Sequence, residues 1–167
     1  MPMIPSGLAN AIKAKTEQIN NTSALSALWA AVCEYVASNA DVVYQWSAVS
    51  PKGDPDPQVT WTGKILTGGS LTLSMANTPA AALSNLSLQM NTQVMTWTVI
   101  PAPGFATAGP TITAPSINIK PSMATERDEA LLSIATDIIT GIQAAIPPVH
   151  SGAHGAFTGA TTSGKIL

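Results

Sequence analysis

Three stretches of this sequence carry residues with chemical potential. Gly159-Ala-Thr-Thr-Ser-Gly-Lys165 nearly spells a phosphate-binding loop. Such a loop needs Ser or Thr after the lysine to hold Mg²⁺, and a helix whose N-terminus faces the phosphates. Ile166 follows the lysine here, so no nucleotide site is expected. His150 and His154 stand four apart, a metal-binding spacing on a helix. Pro147, Pro148, Gly152 and Gly155 argue against a helix, and two histidines in an exposed loop are expected instead. Asp54 and Asp56 offer oxygens at alternate positions, as calcium loops do. A proline follows each, however, and turn formation accounts for both. With two histidines, one cysteine and nine acidic residues, no set of side chains suggests an enzyme, a metal site or a cofactor.

The tryptophans are a different resource. Trp29, Trp46, Trp61 and Trp97 fall on regular elements, where core or subunit-interface packing is expected. A platform for stacking sugars or bases is the sharper alternative. Cys33 sits inside an apolar helical run and reads as a small core residue.

Composition narrows the field. Only 10% of residues are charged, against about 25% in a typical globular domain. Net charge is −2 with no basic block, which argues against nucleic-acid binding through phosphate neutralisation. No apolar run is long enough for a membrane span, and the N-terminal residues do not form a secretory signal. A surface built from Ser, Thr, Asn, Gln, Ala, Pro and Gly lets neutral faces pack together. Assembly is therefore favoured over catalysis.

The elements that position these residues can be read in order. Ser6 caps a helix from Gly7 to about Asn20, with Leu8, Ile12 and Ile19 on one side. Thr22-Ser23 caps a second, to about Ser38, in which Leu25, Leu28, Trp29, Val32 and Val36 form a stripe. Asp41 to Val49 and Gln58 to Leu66 are strands joined by the turn Ser50–Pro57, so Trp46 and Trp61 should meet across a hairpin. Leu71, Leu73 and Met75 suggest a short strand. Thr78-Pro79 opens a weak helix to about Gln89, and Thr92 to Ile100 reads as a strand. Residues 101–110 form a Pro/Gly/Ala loop, and Thr111 to Lys120 an edge strand limited by Pro115. Thr125-Glu-Arg-Asp128 resembles a capping box before the strongest helix, whose face is Leu131, Ile134, Ile138, Ile139, Ile142 and Ala145, stopped by Pro147-Pro148. Val149–Leu167 is too poor in apolar residues to order itself except against another surface.

Gly63-Lys64-Ile65-Leu66 returns as Gly164-Lys165-Ile166-Leu167, each copy downstream of an apolar helix. This suggests two related units around a β-rich insert, with duplication and coincidence both open. The fold class expected is α+β, organised as residues 1–67 (helices and a hairpin), 68–121 (β-rich, Pro-rich insert) and 122–167 (helix and extended tail), together one compact domain.

The Ala-rich opening helix Leu8-Ala-Asn-Ala-Ile-Lys-Ala and the ending Thr161-Thr-Ser-Gly-Lys-Ile-Leu167 resemble those of small virion structural proteins of tailed bacteriophages. The resemblance covers about a third of the chain, and the Pro-rich segment 101–121 has no place in it. It implies a non-enzymatic tail, baseplate or connector subunit, assembled in a host cytoplasm and contacting copies of itself and other virion proteins. The candidate interface is then Trp46, Trp61, Trp97, Lys165, Ile166 and Leu167. A carbohydrate- or surface-binding module built on exposed tryptophan and the acidic turn is the alternative.

Overall fold

The computed structural model describes residues 2–17, 24–72, 76–100 and 111–167, the side chains of residues 162 and 163 apart. The chain is mixed α+β, as expected. Its elements run α1 (Pro5–Thr16), α2 (Ala24–Asn39), β1 (Asp41–Val49), β2 (Thr60–Leu66), α3 (Pro79–Val94), β3 (Thr98–Ile100), α4 (Arg127–Gln143), β4 (Ser151–His154) and β5 (Phe157–Ile166).

The helices follow their apolar stripes. Pro5 at the first turn pre-sets the start of α1, so Ser6 lies inside the helix and does not cap it. Leu8 and Ile12 are fully buried. Ile19, and the caps expected at Thr22 and Ser23, lie outside the described residues. In α2, Trp29, Val32 and Val36 face inward, and Ala27 and Ala31 widen the stripe. α1 lies between α2 and α4. Helix α4 begins one residue later than the capping-box reading requires: Glu126 is the N-cap and makes no side-chain cap bond, while Asp128 and Glu129 complement the dipole in the first turn.

All strand pairs are antiparallel, in the order β3-β2-β1-β5-β4. Val42, Tyr44, Ile65, Val99 and Ile166 lie on the inner face and join the helices in the core. The sheet curls: Ile112 N–H donates to Trp97 O at 3.0 Å, and Thr113 exchanges two backbone bonds with Ile146. Residues 112–113 thus tie the β3 side to the approach to β4.

The insert is less β-rich than expected. Thr78 Oγ accepts the Ala81 N–H at 3.2 Å, and the helix it caps runs on to Val94, through residues expected to be strand. Leu83, Leu86, Met90 and Val94 recur at helical spacing and face the core, which outweighs the β propensity of Thr92 and Val94. Strand β3 keeps only three residues, and Pro101, which has no N–H for a ladder, follows it. The strand expected over residues 71–75 and the loop over 101–110 fall largely or wholly outside the described residues. Thr111–Lys120 does not enter the sheet beyond the isolated Thr113–Ile146 bridge. Instead Asn91 holds Ile117 by two bonds, Nδ2–H to Ile117 O at 2.9 Å and Oδ1 to Ile117 N–H at 2.8 Å.

The two Gly-Lys-Ile-Leu copies flank the same strand. Gly63 stands opposite Val42 on one side of β1, and Ile166 opposite Val42 on the other. Each copy closes a helix–hairpin unit, α2-β1-β2 or α4-β4-β5. Moreover, α2 lies against β2 and α4 against β5. Shifting the first unit by two strands along the sheet therefore places β2 on β5 and β1 on β4. The two copies thus occupy corresponding places in the two helix–hairpin units.

Candidate functional site

One end of the curled sheet forms a mouth where side chains from five segments converge. The turn between β1 and β2 supplies Asp56, whose side chain is fully buried. Its Oδ2 accepts the Trp46 indole N–H at 2.9 Å and lies 2.8 Å from His154 Nδ1; its Oδ1 accepts the Gln58 N–H at 2.9 Å. Burial by itself would push this carboxyl up. The Gln58, His154 and Trp46 bonds outweigh it and hold Asp56 below the usual carboxylate range.

His154 closes β4 and is 41% exposed at its side chain. Its ring meets Trp61 edge-on at 5.0 Å and stacks on Phe157 at 6.5 Å. Trp61 belongs to β2, so the contact crosses two intervening strands, which only the curl allows. The row Ala48–Gly159–Gly152 carries no side chain larger than methyl, leaving room for Asp56 and His154 to meet above it. A Cβ on Gly159 would lie 2.0 Å from Ser47 O.

Deeper in the same concavity, the Tyr44 hydroxyl lies 3.2 Å from His150 Nε2. Burial raises the Tyr44 phenol and keeps it neutral. Thr161 Oγ accepts the His150 N–H at 2.7 Å. The two histidines are therefore not an exposed loop pair: His150 is buried in the core and His154 is set on a strand by a carboxylate. A His–Asp pair fixes the tautomer and orientation of an imidazole, as in hydrolytic triads and metal sites. Among the described residues, no group of three or more His, Cys, Asp and Glu comes together to hold a metal.

The expected interface residues divide. Trp46 is buried on Asp56, Trp97 is buried against Trp29 with ring centroids at 5.5 Å, and Ile166 is fully buried in the core. These three are buried in the chain's own packing. Trp61 is half-buried, Lys165 is exposed, and Leu167 is half-buried with its N–H on Asp41 O. The hairpin register sets Trp61 opposite Tyr44, so Trp46 is a diagonal neighbour and not its partner. Residues 159–165, the near-match to a phosphate loop, lie in β5.

Sequence reasoning pointed to the acidic turn and the tryptophans but did not join them to His154. The signal that was present is the Asp-Pro repeat, Asp54-Pro55-Asp56-Pro57, followed by alternating strand residues. No protein-family model, characterised protein or solved structure matches the chain.

Proposed function

We propose that this chain is a non-enzymatic structural subunit of a phage particle, contacting copies of itself and other virion proteins in the tail, baseplate or connector. One observation carries the reading: the outward face of the sheet is exposed and nearly free of charge. Gln45, Ser47 and Val49 of β1, Thr60 and Thr62 of β2 and Thr158 of β5 all face solvent. Lys64 is paired with Asp41, and Lys165 adds one further charge. A face of this kind lacks the interspersed charges that keep monomers apart. No helix of the described residues is long and apolar enough to cross a membrane.

Residues 149–167 fold onto the chain's own sheet, with β5 an inner strand between β1 and β4 and β4 at the sheet edge. Helix α1 is likewise packed between α2 and α4. Light scattering on the purified protein, alone and with the products of neighbouring genes, tests the proposal. An oligomer that dissociates in a Gln45→Lys/Thr62→Lys variant supports it; a monomer under all these conditions refutes it.

A surface- or sugar-binding module is the second reading, favoured by the half-exposed His154 between Trp61 and Phe157. Binding of the monomer to a glycan array would support it over assembly.

A further inference from the structure

We propose that residues 50–59 form a releasable strap over the mouth of the sheet, fastened to the opposite hairpin by the Asp56–His154 pair. The inference goes beyond the assembly reading and does not depend on it.

The strap is bound loosely everywhere but at one peg. From Pro51 to Thr60 every residue is exposed except Asp56. Its other backbone bonds are turn bonds or ties to adjacent β1: Ser50 N–H to Asp54 O at 2.8 Å, Gly53 N–H to Ser50 O at 2.9 Å, Asp56 N–H to Ala48 O at 2.9 Å and Trp46 N–H to Val59 O at 2.9 Å. The Asp56 carboxylate is what ties it to β4, 98 positions further along the chain.

That tie is of a kind whose net strength is small. Taking a carboxylate out of water is costly, and its bonds inside the protein offset that cost with only a small surplus. When the strap lifts, Asp56 regains water and His154, already half-exposed, loses little. The opening therefore has a low cost relative to global unfolding. It uncovers Trp46, whose indole N–H is bound to Asp56, and the face of Trp61 beside His154. A closed strap hides an aromatic surface that an open one presents.

Hydrogen exchange on the intact wild-type protein gives the first test. The Asp56 amide, bonded to Ala48 O of β1, and the Gln58 amide, bonded to Asp56 Oδ1, should exchange through a local opening at least tenfold more often than the β1 amides of Val42 and Tyr44. Equal opening rates for strap and β1 overturn the proposal. The His154→Ala variant gives the second. Exchange at Asp56 and Gln58 should rise a further tenfold with β1 protection unchanged, and acrylamide should quench tryptophan fluorescence more strongly. His154→Gln, which keeps a side-chain donor, should restore part of the protection. If His154→Ala leaves strap exchange unchanged, or loosens β1 as much as the strap, the pair is not a fastener and the proposal fails. Should that variant not fold, the wild-type comparison alone decides.

Discussion

The Tyr44 ring lies directly against the backbone of Gly164, where an added Cβ would stand 2.7 Å from Cε1 and 2.6 Å from Pro147 Cγ. Gly63, the matching glycine of the other Gly-Lys-Ile-Leu copy, has the same ring on its side at 3.4 Å and Ile100 O at 2.8 Å. Both glycines thus leave room for one buried aromatic side chain. Gly164→Ala should destabilise the fold by about 1–3 kcal/mol through overpacking. Urea denaturation checks this. Gly68→Ala, where nothing lies within 4 Å of the added methyl, is the control and should change little.

Asn91 substitutes for a strand. Its amide satisfies both backbone groups of Ile117, a residue in a segment without a ladder of its own. Asn91→Ala would leave both groups unpaired at a part-buried position, a loss of about 1–3 kcal/mol for each group so orphaned. Asn91→Asp keeps the acceptor and loses the donor, so it should fall between wild type and alanine. Thermal unfolding of the three proteins orders them.

Acid should weaken the mouth. Asp56 titrates below its unfolded value, so the stability it confers is present above the ordinary carboxylate range near pH 4 and is lost as pH falls through the lower, folded value. The gap in melting temperature between wild type and Asp56→Asn should shrink as pH falls from the ordinary carboxylate range near pH 4 through the lower, folded value. A gap that widens in acid would contradict the assignment.

Cys33 should be slow to react. Burial pushes its thiol up to about 11, with only partial relief from hydrogen bonds to Thr67 and Gly68. It lines a cavity of about 200 Å³ with Trp29 and Leu71, so access alone does not protect it. The thiolate is the reactive form, and alkylation at pH 8 should run roughly a hundredfold slower than in the urea-unfolded chain. A native rate equal to the unfolded one would show that the thiol is not shielded.

How far the fold could be read differs by element. The stripes of α2 and α4 and the alternation of β1 were legible because each pattern repeats over several turns or pleats. The helix at 79–94 runs past its expected end near Gln89 because the burial of Met90 and Val94 is a tertiary fact that the local strand propensity of Thr92 and Val94 does not express. The tail, residues 149–167, was judged by its poor apolar content. Its order comes from backbone pairing to β1, which composition does not express. The mouth was half legible: turn and tryptophans stood out, but the Asp56–His154 meeting depends on the curl of the sheet. Ile166 lies on the core face of β5 against the chain's own helices, a placement that the short terminal motif alone does not express.

The placement of β5 beside β1 also governs how the chain reaches this state. Tyr44 and His150, which meet across that pairing, are 106 positions apart. Loop closure on that scale must precede the contacts that reward it, so folding should be slower than that of a helical bundle built from local contacts. A nascent or cleaved chain without the final strand has a hole where β1 expects a neighbour, and its exposed edge makes it a candidate for aggregation.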